Sequence, residues 1–547
     1  MATPEAQRAW LERLILLLAC GVACPVCLFR AGFHVEALAL VGLCAASQLA
    51  RPPSSWVSRT CLDSGLLYGT ALVSMALGSN LLNQSADAAI ERHARLIFWC
   101  SVGCGLSACL ESDRTAGLFA SSVRSLGCAS VVTLLAVPRE RSGQRAFVYT
   151  NLVVFEFGSQ LLRRALVKSF TVGEALVVVQ CVTIATTDFM ALTASRVVPG
   201  STPYYAEHRT PDQVALEGGL LGVVWLAVVL GPFFAQHVKM ENETIGVDPR
   251  QPGPRPRADS ALLRWDTLSP RASLVFVATC AAWLSFVALW VALLLPDQVN
   301  PIEFVRRFTF GSWAHVAMVS YWFAALACGL PMIHWLAKRA QLSLIVIRKL
   351  YHLLALVMFA PAVALTPQFV SLSFGVSTAL LLFLEYVRAC RMPPLGEWLH
   401  GFMRSYTDSR DEGVAILTHL YLLVGCALPV WICPAGEASL APFAGVLILG
   451  AGDAAGAIVG STYGRARWIG GRKTFVGTTA AVVCTMASAM VITRLWLPWP
   501  QSARELQFTF VATLATCLLE AFTTQIDNLV LPLFFVSVLR MSSSVPF

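Results

Sequence analysis

The sequence has little charge. Only 13% of its 547 residues are Asp, Glu, Lys or Arg, roughly half the share found in an ordinary soluble domain. A chain that is also 56% hydrophobic, with a mean hydropathy of +0.66, cannot cover itself with a polar surface. This excludes a water-soluble globular protein and leaves lipid as the solvent. No basic stripe interleaved with aromatics is present, so nucleic acid is excluded as a partner despite a net charge of +8. The excess is read instead as Lys and Arg collected in cytoplasmic loops. The 17 cysteines contain no set of CxxC pairs at zinc spacing. Cys24-Pro-Val-Cys27 fits CxxC by count but lies in an apolar run, where small apolar side chains explain it better than a metal or a disulfide. The GxxxxGK[ST] phosphate loop is also missing.

Long apolar runs fill the chain. A helix needs ~20 apolar residues to cross a bilayer, and runs of about that length occur at 14–29, 35–50, 64–82, 96–111, 118–137, 146–162, 170–193 and 214–236, then at 272–295, 311–337, 350–366, 368–388, 414–433, 440–460, 475–492, 507–522 and 527–540. The expected fold is all-α and polytopic, with roughly 14–18 membrane-spanning helices. The first run is read as a retained helix rather than a cleaved signal, because a second span follows at once. The chain divides into an N-terminal transmembrane region (1–237), a Pro- and Arg-rich hydrophilic linker (238–271) and a C-terminal transmembrane region (272–547). The linker, 338–349, 388–410 and 465–473 are basic and are separated from one another by two spans each. They therefore emerge on one side, the cytosol by the positive-inside rule; Arg306 and Arg307 fall on the other.

The chemistry concentrates in Gly450–Thr478. Asp453 sits inside an apolar run, and a carboxylate there marks a functional site by default. Gly456, Gly460 and Gly464 allow close approach of another backbone or a ligand. A Gly-rich loop with Arg465, Arg467, Arg472 and Lys473 follows and leads into a new helix. Backbone amides, cations and a helix N-terminus together suit a polyphosphate. The same residues also read as a small-residue packing motif followed by a basic loop. Elsewhere Arg348, Lys349 and His352 enter one helix, Asp408 to Glu412 form a polar loop, and Glu520 and Asp527 lie at span edges. Seven residues apart, the last two would share a face if one helix ran through both. Glu156, Glu174 and Asp188 are further intramembrane charges, suited to a lipid groove or an oligomer contact.

Asp453 through Thr478 resembles the CTP-binding motif of the polyprenol kinase family, above all the dolichol kinases. The match is carried by Asp453, Gly456, Gly460, Gly464, Arg472, Lys473, Thr474, Phe475, Gly477 and Thr478; Val476 stands where the family has Glu. Arg348-Lys349-Leu350-Tyr351-His352 resembles its Arg-Lys-x-x-His helix entry. Glu385 to His419 resembles its second cytosolic loop, with Ser409 in place of an acidic residue, and Glu520 to Pro532 its C-terminal Glu/Asp-Asn motif. The resemblance spans 340–540 and leaves the N-terminal half without a motif. It implies CTP-dependent phosphorylation of dolichol to dolichyl phosphate, the lipid carrier of protein glycosylation, in the endoplasmic reticulum membrane with the site facing the cytosol. Mg²⁺ or another divalent cation would be held by Asp453 and Asp527. CTP would contact Gly456, Gly460, Ser461, Gly464, Gly470, Gly471, Arg472, Lys473, Thr474, Gly477 and Thr478, together with Arg348, Lys349 and Asn528. Asp453, Lys473, Glu520, Asp527, His352 and Asp411 are the catalytic candidates. Alternatives are a kinase of another isoprenoid alcohol, of phytol or farnesol type, and a non-catalytic transporter or scaffold. Membrane lipid is the remaining partner, and the oligomeric state is open, a homodimer included.

Overall fold

The computed structural model describes residues 3–52, 63–83, 88–111, 118–137, 142–166, 168–197, 209–233, 270–296, 299–404, 413–497 and 502–544, together with Trp56, Ser58, Arg59 and Cys61. Almost the whole hydrophilic linker and the polar loop with Asp408, Asp411 and Glu412 lie outside the described residues.

Every regular element among the described residues is a helix, apart from one isolated bridge between Arg467 and Thr474. The N-terminal half comprises α1 (Pro4–Arg30, with a π turn at Ala19–Ala23), α2 (His34–Leu49), α3 (Val73–Leu81, preceded by a π turn at Tyr68–Leu72), α4 (Ala88–Cys109), α5 (Leu118–Ala136), α6 (Ser142–Ala165), α7 (Val172–Val197) and α8 (Pro211–Val229). The C-terminal half comprises α9 (Pro270–Leu294), α10 (Pro301–Phe310), α11 (Trp313–Arg339), α12 (Leu344–Leu365), α13 (Pro367–Ala389), α14 (Leu395–Arg404), α15 (Thr418–Ile432), a π segment (Val446–Asp453) running into α16 (Ala454–Tyr463), α17 (Phe475–Trp496), α18 (Ala503–Phe522) and α19 (Asp527–Arg540).

Each apolar run in the sequence corresponds to one of these helices. Ten described helices are long and apolar enough to cross a membrane, and three shorter ones are apolar along their length. The short, polar-edged α10 and α14 are additional: their charges occupy one face, as in the bonds from Arg306 and Arg307 to Glu303. Pro331, Pro361, Pro429 and Pro532 lie inside helices, which a membrane bundle tolerates because neighbours re-satisfy the freed carbonyls. Leu274, Phe286, Leu289, Phe323 and Trp335 point outward on α9 and α11. Lipid can cover such residues; water could not do so cheaply.

The two halves share one core. α3 packs on α19, α1 on α18, and α8 on α13. The cluster of buried apolar side chains that begins at Leu16 and Cys20 reaches Phe534 and Val536 without a break. Cys24 and Cys27 are buried within it, and no disulfide occurs among the described residues. Three intramembrane charges foreseen in the N-terminal half all have partners: Glu156 with Arg124 at 2.8 Å, Glu174 with Arg59 at 2.6 Å, and Asp188 with Arg209 and with His93.

Candidate active site

Asp453 ends the π segment Val446–Asp453, a geometry that recurs at functional sites. The segment is squeezed between two neighbours. A Cβ on Gly450 would meet Leu356 Cβ at 2.6 Å, and one on Gly452 would meet Thr485 Oγ1 at 2.6 Å. Only glycine permits α12 and α17 to close on it so tightly. The approach brings Asp453, fully buried, against the face of α12 that carries Lys349 and His352, three residues apart and so adjacent on the helix. Asp453 Oδ2 pairs with Lys349 Nζ and lies 3.2 Å from His352 Nδ1. His352 Nδ1 is also 3.2 Å from the Leu449 carbonyl oxygen. A carbonyl can only accept, so Nδ1 carries a proton.

The loop after α16 folds back as a narrow hairpin. Trp468 N donates to Lys473 O at 3.0 Å and Phe475 N to Ala466 O at 3.1 Å, and the Trp468 ring lies 3.8 Å from that of Phe475. Gly470, at φ 66°, makes the turn, where most side chains would be strained. Thr474 Oγ1 accepts from Gly477 N at 3.1 Å and caps α17. This hairpin delivers Lys473, whose ammonium pairs with Glu520 and stands 3.9 Å from Asp453 Oδ1. Burial alone would lower the Lys473 pKa, but Glu520 first, then Asp453 and Asp527, outweigh it and hold the ammonium above the ordinary lysine range.

Glu520 and Asp527 do not lie on one continuous helix. α18 stops at Phe522 and α19 starts at Asp527, so the two carboxylates meet across a turn rather than along a helical face. The turn is held from the N-terminal half. Arg8 donates to the carbonyls of Phe522 and Thr523 at 2.9 and 2.8 Å. Glu12 accepts from Thr523 Oγ1 at 2.8 Å, Gln525 Nε2 donates to Asp63 O at 3.1 Å, and Glu174 accepts from Ile526 N at 2.7 Å. Arg8 and Glu174 thereby satisfy the Phe522 and Thr523 carbonyls and the Ile526 amide.

Arg348, Lys349, His352, Thr418, Asp527 and Asn528 line a cleft with Ser169, Ala415, Leu417, Tyr421 and Ile526. Ala415, Leu417 and Tyr421 also line a second, far larger cavity of about 1140 Å³ between the two halves of the molecule. The motif around Glu385 secures the junction: Glu385 pairs with Arg388 at 2.6 Å and accepts from Ile416 N at 2.7 Å, while Arg388 donates to Val414 O at 2.7 Å.

The structure thus gathers Asp453, Lys473, Glu520, His352 and Lys349 at one point and sets Arg348, Asp527 and Asn528 beside them. Other candidates have structural contacts of their own. A Cβ on Gly464 would meet Thr474 Oγ1 at 2.4 Å, one on Gly477 would meet Gly456 O at 2.7 Å, and one on Gly460 would meet Gly477 Cα at 3.2 Å, so these four glycines seat α16 against α17. Thr478 Oγ1 accepts from Trp468 Nε1 at 2.9 Å. Ser461 Oγ donates within its own helix to Ile458 O. Gly471 N donates to Trp468 O, and Arg472 is exposed at the hairpin tip. Asp411 lies outside the described residues. Sequence reasoning missed Tyr421 and Ser169 in the cleft, and Arg8, Glu12 and Asp63 behind it. Only the cost of a charge beside an apolar run pointed toward Glu12.

The donor set fits a magnesium ion. Mg²⁺ takes one or two carboxylates and fills its shell with waters and phosphate oxygens. Among the described residues no group of three or more His, Cys, Asp or Glu forms a dedicated metal cage. Asp453 Oδ1 and Asn528 Oδ1 are both buried without a hydrogen-bond partner, an expensive arrangement unless a cation or donor meets them.

Lysines paired with buried carboxylates, at a cleft adjoining an apolar cavity, make a candidate enzyme site in a multi-pass membrane protein. Comparison with known proteins agrees. A family model described as dolichol kinase matches residues 261–467. The chain is 29% identical to a dolichol kinase of Arabidopsis thaliana over 94% of its length and 95% of that protein's. It is 30% identical to the dolichol kinase of Homo sapiens over 76% of this chain and 73% of the human one, and 29% identical to that of Saccharomyces cerevisiae over 44% and 45%. No solved structure matches. The chain belongs to the dolichol kinase family.

Proposed function

We propose that this chain phosphorylates dolichol with CTP, in the endoplasmic reticulum membrane and from the cytosolic side, supplying the lipid carrier for glycosylation. The observation that carries the reading is the position of Asp453, held between Lys349, His352 and Lys473 beside a cleft that adjoins an apolar cavity. Phosphoryl transfer asks a protein mainly to position two oxygens and neutralise charge. Lys473, Lys349 and Arg348 supply that charge, and Arg472 at the hairpin tip meets the nucleotide as it arrives. Asp453 would hold Mg²⁺, which when bound neutralises phosphate oxygens.

Asp527 is the carboxylate among the residues lining the cleft. It stands beside Ala415, Leu417 and Tyr421, where an alcohol arriving from the cavity would present its hydroxyl, and it takes that proton. Glu520 keeps Lys473 charged and aimed. The cytosolic reading is supported by the positive-inside rule applied to Arg348, Lys349, Arg388, Arg465, Arg467, Arg472 and Lys473, which sit at the ends of described helices or in the loops between them.

The test is turnover by the purified full chain given labelled CTP or ATP with dolichol, phytol, farnesol or diacylglycerol. Labelled dolichyl phosphate from CTP is the expected product. A different preferred acceptor, or no transfer at all, would overturn the reading. Asp453→Ala and Lys473→Ala should each abolish transfer while the protein stays folded in the membrane.

A further inference from the structure

Resting on that reading, we propose that the large cavity between the two halves binds the polyisoprenoid tail of the acceptor, and that the N-terminal helices set which chain length is used. The cavity, at about 1140 Å³, exceeds the usual range of small-molecule pockets, about 300–1,000 Å³. It follows α15 from Leu420 to Ile432, a run of roughly 18 Å at the helical rise. That is more than half of a hydrocarbon core about 30 Å thick. Along this length its wall is apolar, with Leu77, Ile97, Val182, Leu220, Val424 and Trp431 facing it.

Three features favour an isoprenoid chain as the occupant. The first is adjacency. Ala415, Leu417 and Tyr421 belong to both the cavity and the cleft, so one layer of side chains separates a tail in the cavity from a hydroxyl beside Asp527, and movement of these side chains would join the two. The second is the state of the charged groups in the wall. Asp188 and Glu217 pair with Arg209, and Arg540 pairs with Glu437 at 2.5 Å. Each of these charges has an opposite partner, and they lie toward the end away from the cleft, where Cys433 and Arg540 also sit, so the middle of the cavity offers a polar ligand little. The third is the origin of the wall. α3, α4, α6, α7 and α8 supply much of it, yet none of them carries a residue of the cleft beside Asp527, where Ser169 is the one contribution from the N-terminal half. Their contribution to a kinase is explained if they hold the acceptor rather than the nucleotide.

The test uses the full chain in phospholipid nanodiscs with Ala185→Trp on α7 and Ala94→Trp on α4. Both positions are partly buried and face the cavity. Thermal unfolding confirms that each variant is folded. The expected result is a KM for dolichol raised at least tenfold, with kcat/KM for a ten-carbon isoprenol within twofold of the unmodified chain. A diazirine at the tail end of a long polyprenol should label α7 or α8, and dolichol should compete for that label better than phospholipid. Unchanged dolichol kinetics in both folded variants, equal losses for long and short alcohols, or labelling that phospholipid competes equally well would each overturn the proposal. Turnover of either alcohol by the unmodified chain reports separately on the kinase reading. If neither is phosphorylated, that reading fails, and the labelling arm still decides the tail site.

Discussion

Lys349 and Asp453 stand 104 positions apart in the chain and form an ion pair, with the aspartate fully buried at the end of a π segment. The contact joins two motifs that a sequence shows only separately.

A buried pair of this kind is costly to break from one side. Asp453→Leu alone strands Lys349, with a penalty of about 3–5 kcal/mol. Lys349→Met combined with Asp453→Leu should recover most of the thermal stability and none of the turnover. Thermal unfolding and CTP turnover measured side by side check this; recovered activity in the double variant would remove Asp453 from the reaction.

Lys473 should stay charged across the working pH range, because Glu520, Asp453 and Asp527 hold its pKa above the ordinary lysine value against the opposing effect of burial. Raised in the folded state, it contributes stability that is complete below the unfolded value, about 10.4. That stability is lost only as pH rises through the higher folded value. Turnover between pH 7 and 10 should therefore show no loss from Lys473. Glu520→Gln removes the first of the supporting charges and should introduce an alkaline loss within that range. A pH–rate profile of both proteins decides the point.

Glu174 accepts from Ile526 N at 2.7 Å and pairs with Arg59 at 2.6 Å, so it ties the N-terminal half to the turn between Glu520 and Asp527. Glu174→Gln should lower kcat by tenfold or more with a smaller change in KM for CTP, and Glu174→Asp should recover part of it. Wild-type kcat in the glutamine variant would show that the turn holds its shape without this tie.

Gly477→Ala should destabilise by about 1–3 kcal/mol, since its Cβ would meet Gly456 O at 2.7 Å and push α16 from α17. Gly219→Ala on α8 has open space and should be neutral or stabilising by about 0.5–1 kcal/mol. Thermal unfolding of the pair separates interhelical packing from helix propensity.

Chelation should silence the enzyme, and added Mg²⁺ should restore it, because Asp453 Oδ1 and Asn528 Oδ1 are left without donors of their own. Full turnover in excess EDTA would exclude the ion.

The sequence by itself determined the helices. Apolar runs such as 311–337 and 475–492 became α11 and α17 because a backbone in lipid has no water to bond and must close its hydrogen bonds within each run. Asp453 and Lys473 also stood out in the sequence, as a carboxylate in an apolar run and a cation beside glycines, and the structure brings them within 3.9 Å. Tertiary structure alone decided the rest. It showed that Gly456, Gly460, Gly464 and Gly477 lie where two helices touch, and that a turn rather than one helix separates Glu520 from Asp527. It also placed Arg8, Glu12 and Glu174 against that turn from more than three hundred residues away. The reason is physical: hydropathy and period report what each segment does toward lipid, whereas the partners of a buried charge depend on which helices pack together, and no local pattern encodes that choice.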